Sequence, residues 1–145
     1  MKKIIPFVII ILIVVIGIVI YFAFNNAKHS NEVEENLGKA QLVEIYDYHT
    51  NELLKTYENN EDIEGLMNDL EVDKWEIGSA SDEDSKMYSI KMYQEPTKTL
   101  LENENSEMEE VANIVIYNSG NYADFTTAGM EIPFKTNKNI VNLFE

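Results

Sequence analysis

Few side chains in this sequence are equipped for covalent or acid–base chemistry. There is no cysteine, which excludes thiol nucleophiles and thiolate metal ligands. Of the two histidines, His29 lies in a polar stretch and reads as solvated. His49 stands beside Asp47 in the run His49-Thr50-Asn51-Glu52, where a turn role outweighs that of a general base. No serine has a G-x-S-x-G or S-x-x-K context. Acidic residues number 26, enough to supply many carboxylate pairs for glycoside hydrolysis, but abundance without geometry selects none of them. The best cation candidate is Ser81-Asp82-Glu83-Asp84-Ser85. Asp82 and Asp84 alternate as at the start of a calcium loop, yet the glycine and the distal glutamate are missing. The expectation is a solvated inter-strand loop without metal, with Asp82, Glu83 and Asp84 free to attract a cationic partner. Asn103 to Glu110 reads as a second solvated acidic loop. No cofactor is expected.

Tyrosine is the other chemically expressive residue, with eight copies. Tyr46, Tyr48, Tyr57 and Tyr88, together with Tyr93, Tyr117 and Tyr122, fall on strand-like segments. On one reading they line an exposed sheet face that meets a protein or peptide, since each ring offers apolar area and a polar tip. On the other they close sheet edges and cover the core. Both readings stay open at this level.

Charge narrows the partners. All 11 basic residues are lysines; setting aside Lys2 and Lys3 leaves 9 lysines against 26 acidic residues, a formal charge of −17. Nucleic acid is excluded as a partner, because its binding rests on cation–phosphate contacts. Anionic lipid headgroups are repelled for the same reason. Without arginine there is no bidentate fork for phosphate or carboxylate. Basic proteins, basic peptides and loosely held divalent ions remain, beside the plain role of keeping an exposed domain soluble.

The elements that would position these groups begin with an anchor. Met1-Lys2-Lys3 precedes Ile4 to Phe24, which holds no charged side chain. At helical rise this run covers roughly 31 Å, enough to span a bilayer core. A cleaved signal peptide is the alternative, but the run is longer than a usual h-region, and Asn25 spoils the small-x-small pattern before Ala27. Lys2 and Lys3 put residues 1–3 in the cytoplasm by the positive-inside rule and place everything after the span outside the cell. Residues 4–24 are thus expected to be a transmembrane signal-anchor and 25–39 a polar stalk. Residues 40–145 are expected to form one extracytoplasmic domain of usual size.

Within that domain Ile63, Leu66, Met67 and Leu70 share one helical face. Asn59 or Asn60 would cap this helix, and Glu61, Asp62 and Glu64 suit the positive end of its dipole. Leu42 to Tyr48 and Leu53 to Glu58 read as a hairpin around His49–Glu52, and Trp75 with Ile77 as a short strand. Met87 to Gln94 alternates Tyr88, Ile90 and Met92 against Met87, Ser89 and Lys91. Pro96 ends that strand, with Thr97–Leu101 as an edge continuation. Val111–Tyr117 and Tyr122–Thr127 flank Asn118-Ser119-Gly120-Asn121, a hairpin signal, and Ile132 with Phe134 extends the pattern. Thr136 or Asn137 would cap a last helical turn bearing Ile140, Leu143 and Phe144. The expected fold is α+β: an N-terminal transmembrane helix, then an antiparallel sheet of five or six strands with one main helix packed on it.

The run IYDYHTNELLKTYENNEDIEGLMNDL, with its D-I-x-x-L-x-x-x-L helix after a hairpin, resembles small extracytoplasmic domains of single-span proteins and lipoproteins of Gram-positive bacteria. The resemblance covers Leu42 to Trp75. It implies fold and location and assigns no functional residue. The expected function is a membrane-anchored, non-enzymatic binding module at the cell envelope. It would meet a protein or cationic peptide, as an immunity-type protein does, through Tyr46, Tyr48, Tyr57, Tyr88, Asp82, Glu83 and Asp84. The competing class is a wall-directed hydrolase with paired carboxylates, which a deep cleft between two carboxyls would favour.

Overall fold

The helix after the first hairpin forms where its caps and stripe put it. In the computed structural model, which describes residues 33–34, 38–96 and 107–145, helix α1 runs Asn60–Leu70. Asn59 caps it, its side-chain oxygen accepting from the Asp62 amide at 2.8 Å. Glu61 and Asp62 add negative charge to that end. Ile63, Leu66 and Leu70 are buried, and Met67 packs against the same core. The helix stops at Glu71, which takes a left-handed φ of 50° and donates its N–H to the Met67 carbonyl at 3.2 Å. A 3-10 turn, Val72–Lys74, leads to Trp75, whose indole N–H donates to the Leu70 carbonyl at 3.0 Å. That bond satisfies a carbonyl the helix end would leave open. The Trp75 ring lies 5.8 Å from Phe134, fixing the helix exit to the far side of the sheet.

Seven strands make one sheet: β1 Leu42–Asp47, β2 Leu53–Tyr57, β3 Glu76–Ile77, β4 Lys86–Gln94, β5 Glu109–Tyr117, β6 Tyr122–Thr127 and β7 Met130–Lys135. Their order is β2-β1-β4-β5-β6-β7-β3, every neighbouring pair antiparallel. The expected α+β class holds, but the count of five or six strands is corrected to seven. β3 is a strand in its own right, pairing Glu76 with Lys135 and Ile77 with Phe134 on the outer flank of β7. Because β2 and β3 are the two edges, α1 carries the chain across the whole sheet.

One face of the sheet holds the core. Val43 and Ile45 stand opposite Met92 and Ile90, these opposite Ala112 and Ile114, and Ile114 opposite Phe125. α1, Trp75, Ile140 and Val141 join these side chains in one buried cluster. Val33 belongs to it too, at 0% exposure, although it lies within 25–39, the segment expected to be a stalk. The final turn is a 3-10 turn, Val141–Leu143, and its cap differs from the expected Thr136 or Asn137. Ile140 is the cap and makes no side-chain capping bond; the Asn139 side chain before it accepts from the Val141 amide at 3.0 Å, while the Thr136 hydroxyl lies within hydrogen-bond distance of the Gly120 and Lys138 carbonyls. The Gly120 φ of 70° lets the β5–β6 turn fit here, since a Cβ would fall 2.0 Å from the Asn139 side chain.

Among the described residues no helix is long and apolar enough to cross a membrane. The expected span, most of the expected stalk and the Thr97–Leu101 continuation lie outside the described residues.

Candidate functional site

The strand register assembles a second surface, on the face away from α1. Glu44 on β1 stands opposite Lys91 on β4, Lys91 opposite Asn113, Asn113 opposite Thr126, and Thr126 opposite Glu131. A neighbouring row runs Tyr46, Ser89, Val115, Asp124, Pro133, and a third pairs Leu42 with Tyr93 and Tyr93 with Glu110. Alternation along each strand sends these side chains to the face opposite Val43, Ile90 and Ile114, except that a register shift between Met92 and Tyr93 is what sets Glu110 opposite Tyr93. Tyr122, opposite Lys135, shares this side.

Polar contacts hold the surface in one arrangement. The Tyr46 hydroxyl donates to Glu44 Oε2 at 2.6 Å, and the Lys91 ammonium sits 4.8 Å from the Tyr46 ring centre. The Tyr117 hydroxyl donates to Asp124 Oδ2 at 2.6 Å, and the Ser89 hydroxyl donates to Asn113 Oδ1 at 2.8 Å. Ser89, Val115 and Asp124 are only 6–7% exposed at the centre of the face. Burial drives the Tyr93 phenol well above its usual range, reinforced by the charge of Glu44. Burial likewise raises Tyr117, with the Asp124 hydrogen bond adding to it. Tyr46 is raised chiefly because its proton is held by Glu44. These phenols therefore stay protonated donors across physiological pH.

Not all the expected residues share this surface. Tyr46 lies in it. Tyr48, just past β1, is 42% exposed beneath the Lys86 ammonium and close enough to Tyr117 to raise that phenol. Tyr88 and Tyr57 are placed elsewhere. Tyr88 is buried on the core side, its ring 5.5 Å from Phe144, and Tyr57 stands opposite Val43 and packs against the core. Asp82, Glu83 and Asp84 form an exposed turn before β4, where Asp84 accepts weakly from the Ser81 amide and hydroxyl at 3.4 Å. This turn adjoins the β5–β6 turn, since the Asn118 amide donates to the Ser85 carbonyl at 2.8 Å. Among the described residues no group of three His, Asp or Glu side chains converges as a metal set.

Glu44, Lys91, Ser89, Asn113 and Asp124 entered the surface without being singled out in the sequence. Their signal was parity: each lies out of phase with the buried residues of its own strand. His49 is a turn residue, its amide bonded to Asp47 Oδ1 at 2.9 Å, beside the Thr50 bonds that hold the Asp47 carboxyl below its ordinary pKa. No family model matches the chain, and no curated protein and no solved structure matches it either.

Proposed function

We propose that this chain is a non-enzymatic binding module, anchored by residues 4–24 and displayed outside the cell, which meets a basic protein or peptide at the envelope. The observation that supports the reading is the outer sheet face, where Tyr46, Tyr93, Tyr117 and Tyr122 alternate with Glu44, Glu110, Asp124 and Glu131. Tyrosine gives large contact area at low conformational cost, and hydroxyls held by carboxylates need no reordering on binding. Five acidic side chains (Glu44, Glu76, Glu110, Asp124 and Glu131) against Lys86, Lys91 and Lys135 give the face the sign that attracts basic partners. An immunity-type protein that neutralises an exported basic toxin is one specific form.

The test is binding of polylysine to the full chain over a range of salt. Binding should weaken as salt rises, and Tyr46→Ala and Tyr93→Ala should weaken it further while unfolding remains cooperative. Glu44→Gln should weaken it more than Glu61→Gln, which removes the same charge from α1. Equal loss from both charge variants, with no effect of the tyrosines, would show that overall acidity alone attracts the probe and would take the face out of the reading. Location is tested separately. Protease added to wall-free cells should digest the domain, and full protection would overturn the orientation.

A further inference from the structure

The two edges of the sheet are built differently. β3 has two residues and is too short to template another strand. β2, at the other edge, is hydrogen-bonded only to β1 among the described residues, and Leu53 to Thr56 are all exposed. Leu53 and Leu54 are 48% and 45% exposed, and beside them Leu143 is 37% exposed. Leu54, Leu143, Ile45 and Phe144 border a notch of about 170 Å³, rimmed by Lys55 and Glu145. A strand edge with unpaired backbone groups and an adjoining apolar notch is the arrangement by which sheets accept an added peptide strand.

Charge decides the occupant. The ends of β2 are flanked by Glu52 and Glu58, and Glu61 and Asp62 begin the helix that follows. Glu145 stands at the notch, and the one cation of the strand, Lys55, is turned onto the Tyr57 ring at 4.7 Å. A second copy would bring the same acids against these and is disfavoured. An extended segment with alternating basic and apolar residues meets every requirement: main-chain bonds to β2, an apolar side chain in the notch, and cations near the glutamates.

We infer that the outer edge of β2, with its Ile45–Leu54–Leu143–Phe144 notch, accepts an extended basic segment of a partner protein as an eighth strand. The inference rests on the reading of this chain as a binder of basic segments and adds a second contact, at the sheet edge, to the outer face proposed above.

The probe is a nine-residue peptide alternating lysine and valine, added to the full chain in zwitterionic nanodiscs with empty discs subtracted. The expected result is that amide exchange in β2 slows by about tenfold or more at saturation, while β5 and β6 amides are unchanged. Leu54→Ser and Glu145→Gln should each weaken binding without lowering the melting temperature, and a peptide with proline at every valine position should fail to protect β2. Equal protection by the proline peptide would overturn strand addition while leaving charge-driven binding in place. Binding lost in Tyr93→Ala but unchanged in Leu54→Ser would move the contact to the outer face and sink the edge. No binding of either lysine peptide would sink both readings. Protection of β2 that grows with protein concentration and needs no peptide would make a second copy the occupant.

Discussion

Glu71 shows how much one half-buried side chain can tie together. It closes α1 in a left-handed conformation, accepts from Asn137 and Lys74, and lies 3.4 Å from Lys138, so it joins the helix exit to the C-terminal segment. The Asn137 and Lys74 hydrogen bonds lower its pKa from 4.5 to about 2. A depressed carboxylate pKa means that the unfolded chain takes up the proton first as pH falls. The stabilisation is therefore complete above about 4.5 and is lost on the way down to about 2. Acid titration of wild type and Glu71→Gln should diverge above this window and converge below it; parallel curves would deny the linkage. A second expectation concerns Tyr117. Replacing it by Phe leaves the nearly buried Asp124 carboxylate without its phenol donor and should cost about 1–3 kcal/mol in urea unfolding. A neutral result would mean that solvent reaches Asp124.

Elements were legible to the extent that their patterns are local. Alternation of Tyr88, Ile90 and Met92 marked the inner face of β4, and the same parity would have sent Tyr88 to the core from the outset. The α1 stripe and its Asn59 cap were equally plain. Leu66→Ala should therefore cost on the order of 2–5 kcal/mol, measured by chemical unfolding, and a loss below 1 kcal/mol would mean that the helix packs loosely. β3 was read only as a short strand at Trp75 and Ile77; its place on the outer flank of β7, beside the contact of Trp75 with Phe134, was not legible. The outer-face constellation was hidden for a different reason. That Glu44 faces Lys91 depends on β1 pairing with β4 on the side away from β2, a register fixed by contacts distant in sequence.

For the whole molecule, the folded unit reaches further back than hydropathy suggests. A lone valine among polar residues gave no signal, yet Val33 is fully enclosed. Val33→Ala should lower stability by about 1–3 kcal/mol, and a version starting at Gly38 should lose at least as much. If both unfold like the full chain in a thermal melt, the core closes without Val33. Acidity belongs to this scale too. Neutralising Asp82, Glu83 and Asp84 together should leave the fold intact, because the side-chain bonds given for this turn are weak, at 3.4 Å, and its 3.1 Å backbone bond from Asp84 to Ser81 is unaffected. The same change should slow association with a basic partner, by a deficit that shrinks as salt rises. An on-rate indifferent to salt and to all three substitutions would exclude the turn from steering.

The closing of the core by Ile140, Val141 and Phe144 carries a consequence for biosynthesis. The β1–β2 hairpin is made first, but β1 must wait for β4, and β3 must wait for β7. Last of all, the residues around Val141 seal the space beneath the sheet. A ribosome-bound chain halted before residue 140 would carry an open apolar face and a half-built sheet. The complete core can therefore close only once the residues around Val141 have emerged, and a chain still short of them exposes the apolar face that invites misassembly.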